Sequence, residues 1–132
     1  MMTFTLGMTG VHRCVVAAAD TAHAMGNPGV HVLATPRLAL FCEMASYNAI
    51  APEFDDTTAS VGIHLDLHHL AATPVGETVE ISATLVEIDR RRHRFEITGH
   101  DDRNRIARGF HERFLVDLDE FLASLPRPRA GG

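Results

Sequence analysis

Lysine is absent: all 12 basic side chains among the 132 residues are arginine. Schiff-base chemistry on a lysine and a lysine-bearing phosphate loop are therefore excluded. Tryptophan is absent too, and there is one tyrosine, which leaves little from which to build a base-stacking surface. The net charge of -5 also argues against a nucleic-acid partner, whose backbone is polyanionic. The two cysteines, Cys14 and Cys42, have no C-x-x-C spacing. They read as free thiols in a reducing compartment. No apolar run approaches the roughly 20 residues that span a bilayer. The opening MMTFTLGMTG has no basic start followed by a long apolar stretch. The expected location is the cytoplasm, with no membrane partner. No glycine-rich phosphate loop, G-x-S-x-G elbow or H-E-x-x-H motif occurs, so nucleotide hydrolases, serine hydrolases and zincins lack support.

Hydrophobic residues make up 45% and charged residues 22%, enough for one packed domain. It is expected over 1–125, with a flexible tail from Pro126 to Gly132 whose Pro, Arg and Gly bury no apolar area. The pattern predicts a strand near Thr9 to Ala17, then a short helical turn capped by Asp20. Gly26-Asn27-Pro28-Gly29 marks a turn, followed by a flexible stretch, Val30 to Ala34, suited to a lid. A long helix follows, with Thr35 as N-cap and Pro36 in the first turn. Leu38, Phe41, Cys42, Ala45 and Ala49 form one stripe on it, while Leu40, Met44 and Tyr47 lie elsewhere. The helix is apolar nearly all round, the signature of a buried one. Pro52 stops it.

After Asp55-Asp56 the period changes to two. Val61, Ile63, Leu65, Leu67 and His69 are predicted on one strand face, and Gly62, His64, Asp66 and His68 on the other. Val79, Ile81, Ala83 and Leu85 alternate inward. Arg90-Arg91-Arg92 reads as a hairpin turn returning through Phe95 and Ile97. A last strand spans Ile106 to Val116, and Asp117 caps a short helix. One long buried helix with antiparallel strands joined largely by hairpins predicts an α+β hotdog fold: a curved antiparallel sheet wrapped around one central helix. Such a sheet leaves apolar edges, so a homodimer is expected.

Four features bear on chemistry. Glu43 is a carboxylate inside an otherwise apolar helix, either paired or tuned as a base or nucleophile. His69 ends the strand on its apolar face, either as a satisfied core residue or as a proton shuttle. His64-x-Asp66-x-His68 has the spacing of a metal site on one strand face, but that face is normally solvated; no metal or other cofactor is expected. Arg90 to Arg94 reads as a soluble hairpin tip or as a phosphate grip.

These residues carry a resemblance. The stretch from Ala34 to about Leu118 resembles the fluoroacetyl-CoA thioesterase family of single-domain hotdog proteins. The matching pieces are Ala34-Thr35, Glu43, Gly62, His69 with Ala71-Ala72-Thr73-Pro74-x-Gly76, and Gly109-x-His111-Glu112-Arg113. The family's functional threonine, glutamate, glycine, histidine and arginine fall on these positions in order, without a gap. The resemblance implies hydrolysis of an acyl thioester on CoA or a carrier protein, with Thr35, Glu43 and His69 catalytic. Gly62 and Arg113 would shape the site and hold substrate. The stretch His23 to Ala34 contains no Phe, Tyr or Trp, unlike an aromatic-rich lid of the fluoroacetyl-specific type. The expected acyl group is short or medium. A hotdog dehydratase, or a non-catalytic module binding acyl-CoA or a small metabolite, is the alternative.

Overall fold

The computed structural model describes residues 2–129. Seven elements follow one another: β1 (Thr9–Val15), α1 (Thr35–Ile50), β2 (Thr58–His69), β3 (Thr78–Asp89), β4 (Arg92–His100), β5 (Arg105–Asp117) and α2 (Leu118–Ser124). The five strands make one antiparallel sheet in the order β1-β3-β4-β5-β2. The hairpins β3–β4 and β4–β5 follow the turns read from the sequence. The connection from β2 to β3 is instead a crossover from one sheet edge to the other side, not a hairpin. Arg90, at φ 56°, makes the left-handed step of the β3–β4 turn.

The core lies between the inner sheet face and α1. Val79, Ile81, Ala83, Leu85, Phe95 and Ile97 face Leu38, Phe41, Cys42, Ala45 and Ala49, all buried. At about 25 cal/mol per Å² of apolar surface removed from water, this layer dominates folding. Helix and strand approach closely at Gly10. A Cβ there would lie 2.1 Å from the Ala45 carbonyl oxygen and 2.3 Å from the Ala49 nitrogen. Both are helix backbone and cannot rotate away. Gly10→Ala is expected to cost about 1–3 kcal/mol by overpacking, read as a lower urea midpoint at unchanged m-value.

Four details differ from the sequence expectations. Thr35 is the first residue inside α1, and the N-cap is Ala34, which makes no side-chain cap; the Thr35 hydroxyl is spent elsewhere. Asp20 closes a 3₁₀ turn over Ala18–Asp20 rather than starting a helix. Its carboxylate accepts from the Ala17 amide at 2.9 Å and from Arg37 Nε at 2.8 Å, which anchors the start of α1. The stretch Val30 to Ala34 is not a free lid. Ala22 N donates to the Val32 carbonyl at 2.9 Å, Leu33 N to the Thr73 carbonyl at 2.8 Å and Ala34 N to the Asp20 carbonyl at 2.8 Å. Leu33 and Ala34 are buried. Finally, α1 is not buried all round: Leu40, Met44 and Tyr47 are 37–43% exposed, because the sheet covers one side of the helix only.

Asp117 caps α2 as expected, accepting from Glu120 N at 3.0 Å. Residues 126–129 of the expected tail form neither helix nor strand, and 130–132 lie outside the described residues.

Candidate active site

Two polar clusters flank α1. At its start, Thr35 Oγ1 lies 2.8 Å from His69 Nδ1. Because Ala34 occupies the capping position, the Thr35 hydroxyl is free for this bond, and His69 reaches it from the end of β2. The His69 Nε2 is shielded from solvent and has no partner among the described residues. The pair borders a cleft of about 440 Å³ between the 22–34 loop and residues 69–72. Apart from Thr35 and His69, the side chains lining it are Ala, Val and Leu.

The second cluster is two turns along the helix, about 12 Å away at 1.5 Å per residue. Glu43 Oε1 lies 3.9 Å from His111 Nε2. His111 Nδ1 is 2.7 Å from the His64 carbonyl, which can only accept, so Nδ1 carries the proton. Nε2 is then the acceptor for Arg113 Nη1 at 3.1 Å. Arg113 is further fixed by its Nε on Ser60 Oγ at 2.8 Å and its Nη2 on the Ser60 carbonyl at 2.9 Å. Its guanidinium carbon sits 5.9 Å from the Tyr47 ring centroid. Glu43, Met44, Tyr47, Asn48 and Arg113 line a second hollow of about 350 Å³.

Gly62 lies at the centre of this cluster. A Cβ at Gly62 would lie 2.6 Å from Glu43 Oε1, 3.1 Å from His111 Cε1 and 3.5 Å from Arg113 Nη1. Only glycine leaves the carboxylate its place. The sequence pattern puts Gly62 on the outer face, and the structure corrects this. A β-bulge between Gly62 and His64 inserts one residue against β5 and switches the parity. Gly62 pairs with Arg113 and faces the helix, while Ile63 turns out to 52% exposure.

Comparison with known proteins bears on this arrangement. The sequence profile of the family described as fluoroacetyl-CoA-specific thioesterase matches residues 16–119. A fluoroacetyl-CoA thioesterase of Streptantibioticus cattleyicolor is 33% identical over 101 residues, 76% of this chain and 73% of that one. The chain belongs to the fluoroacetyl-CoA-specific thioesterase family. It superposes on a crystal structure of a single-site mutant of the fluoroacetyl-CoA-specific thioesterase with a TM-score of 0.86 at 29% identity, over 92% of this chain and 94% of that one. A thioesterase superfamily member from Thermus thermophilus shares the fold, with a TM-score of 0.86 at 21% identity over 93% and 91% of the two chains. The fold is the hotdog fold read from the sequence, and the chain is a thioester hydrolase of this family.

The five positions singled out by the resemblance border the two clusters, but no single cluster holds them all. Thr35 and His69 meet at one end; Glu43, Gly62 and Arg113 meet at the other. Sequence reasoning missed Ser60 and His111 as members of the site. The signal for His111 was present: it shares period-two parity with Ala107, Arg113 and Leu115, all buried. Ser60 needed the bulge.

Burial sets the protonation of the histidines. It lowers His69 below its ordinary value of 6.5, against the Ala71 backbone, which raises it. It lowers His111 as well, with the His64 carbonyl opposing and Arg113 assisting. It also lowers His93, which is enclosed by Phe4 and Phe95. All three favour the neutral form in the fold. The unfolded chain titrates near 6.5, so below that pH it binds more protons than the native state. Stability is expected to be full above pH 6.5 and to fall as pH drops below it, visible as a declining Tm between pH 7 and 5.

The other sequence candidates separate clearly. His64, Asp66 and His68 are exposed on the outer face, and no group of three metal-binding side chains occurs among the described residues. Arg92 is held by Glu87, Asp89 and Glu112, and Arg94 stacks over Phe110 at 4.3 Å, so the hairpin is a solvated, ion-paired tip. Cys14 and Cys42 are free thiols. Burial pushes the Cys42 thiol up to about 12, which removes it as a nucleophile.

Proposed function

We propose that the protein hydrolyses short or medium acyl-CoA thioesters, with Thr35, Glu43 and His69 catalytic and Gly62 and Arg113 holding the reacting groups. The observation that carries this is the gathering of Glu43, His111 and Arg113 around Gly62, where a Cβ would push the Glu43 carboxylate from its present place. Glu43 takes a proton from water; the oxygen attacks the thioester carbonyl, whose π electrons move to oxygen. The oxyanion then re-forms the carbonyl, the C–S bond breaks, and the CoA thiolate takes up the proton from Glu43. Alternatively the Glu43 carboxylate attacks the carbonyl directly and the C–S bond breaks to expel the CoA thiolate; water then hydrolyses the resulting anhydride to the free acid and Glu43, and a water proton neutralises the thiolate. Arg113, fixed by Ser60 and His111, supplies positive charge near the developing anion. His69, oriented by Thr35, polarises the carbonyl or relays a proton.

Leu40, Met44 and Tyr47 form an uncovered apolar stripe on α1 beside Glu43. A second copy seated there would join the Thr35–His69 end of one subunit to the Glu43–Arg113 end of the other. The active form is accordingly a homodimer, which sedimentation at equilibrium checks directly. No described helix is long and apolar enough to cross a membrane, and the two free thiols support a cytoplasmic setting. A carrier-protein thioester is the second substrate source.

The deciding experiment is free-thiol release from acetyl-, fluoroacetyl-, medium-chain and aromatic acyl-CoAs, with Glu43→Ala as control. Turnover abolished in the control is the expected result. A folded protein that binds acyl-CoA and releases no thiol would make it a binding module instead.

A further inference from the structure

The cleft beside Thr35 and His69 says more than that an acyl thioester fits. Its walls come from two segments. Val30, Val32 and Leu33 contribute one side, and Leu70, Ala71 and Ala72 the other. Thr35 and His69 are the two polar side chains on it, and they already bond each other. The pantetheine arm of CoA carries amides that need hydrogen-bond partners when buried; these walls offer almost none from side chains. A hydrocarbon chain needs none. The acyl group, not the CoA arm, suits this cleft.

The size is equally informative. The cleft measures about 440 Å³. A water takes up about 30 Å³ of liquid, and a methylene is of similar size. A two-carbon acyl group would leave most of the aliphatic wall in contact with solvent. A chain of four to eight carbons, about 120–240 Å³ at that size, would occupy roughly a quarter to a half of the 440 Å³ and lie along the aliphatic walls. No aromatic side chain lines the cleft. The walls are also preformed. Leu33 N donates to the Thr73 carbonyl at 2.8 Å, and Thr73 Oγ1 donates to the buried Asp101 carboxylate at 2.8 Å. Leu33 on one side is thus bonded to the residue that follows Ala72 on the other.

We propose that this cleft binds the acyl chain and that the enzyme prefers unbranched aliphatic acyl groups of about four to eight carbons over two-carbon ones. The proposal rests on the thioesterase reading above and names its substrate class.

The test is kcat/KM for acetyl-, butanoyl-, hexanoyl- and octanoyl-CoA, measured by thiol release on the native protein and on two variants. Each fully buried methylene is worth up to about fourfold. In an open cleft the four extra methylenes of hexanoyl over acetyl are expected to raise kcat/KM at least about tenfold. Ala72→Phe, at an exposed position of the wall, and Val30→Phe, on the opposite side, each fill the cleft. Either is expected to lower the hexanoyl-to-acetyl ratio at least about fivefold. Thiol release with acetyl-CoA equal to or better than hexanoyl-CoA would overturn this proposal and leave the thioesterase reading standing. An unchanged ratio in both folded variants would move the acyl chain out of this cleft and overturn it as well. No release from any acyl-CoA would overturn both.

Discussion

Replacing Glu43 with Gln is expected to lower kcat for acyl-CoA hydrolysis by at least about 10²-fold, the lower end of what a positioned proton-transfer group contributes. The substitution keeps the volume and the hydrogen-bonding capacity of the side chain and removes only the charge and the basic lone pair. Its structural effect should be small, because the Glu43 side chain is 45% exposed and touches the cluster only through its tip. Rate and stability should therefore separate: kcat collapses while the urea midpoint barely moves. Near-normal turnover in the folded variant would remove Glu43 from the chemistry. Gly62→Ala approaches the same point from the other side. Its Cβ would displace the carboxylate from a position 2.6 Å away, so it should also depress kcat while Glu43 itself is intact. In a single turnover in ¹⁸O-labelled water, label in the Glu43 carboxylate would show the direct route, because water attacking the anhydride at the glutamyl carbon leaves its oxygen there.

His69→Ala is the second large effect, again at least about 10²-fold in kcat if the imidazole transfers a proton or polarises the carbonyl. Burial lowers this imidazole below its ordinary 6.5, so the acid limb of the native kcat/KM profile should lie below that value. Thr35→Val gives the matching smaller step. It removes one hydroxyl bonded to Nδ1 at 2.8 Å, and one hydrogen bond corresponds to about tenfold in rate. If Thr35 acts through His69, adding Thr35→Val to His69→Ala should cost almost nothing further. Full additivity would show that the two act separately, and a folded His69→Ala enzyme at native rate would exclude the histidine.

The alternation of Val79, Ile81, Ala83 and Leu85, the turn at Arg90–Arg91 and the proline-started helix from Thr35 were legible because each is written in local periodicity or turn chemistry. The five positions carried by the resemblance could be named for a similar reason, since their order along the chain needs no knowledge of shape; their roles are what the substitutions above test. Three things were not legible. The bulge at Gly62–His64 inserts a single residue, which no period-two count registers, and it moves Gly62 and Ser60 onto the inner face. The true cap of α1 is Ala34 rather than Thr35, because the hydroxyl does better on His69 than on a helix amide. The exposed stripe of Leu40, Met44 and Tyr47 follows from where the sheet ends, not from composition. Sequence by itself determined the elements, the inward faces of β3 and β4 and the kinds of side chain available for chemistry, since these depend on neighbours a few residues apart. Which of those side chains touch was decided only by the tertiary structure. His111 reaches Glu43 and Arg113 reaches Ser60, and His69 reaches Thr35, through strand register and a bulge that bring residues tens of positions apart within a few ångströms.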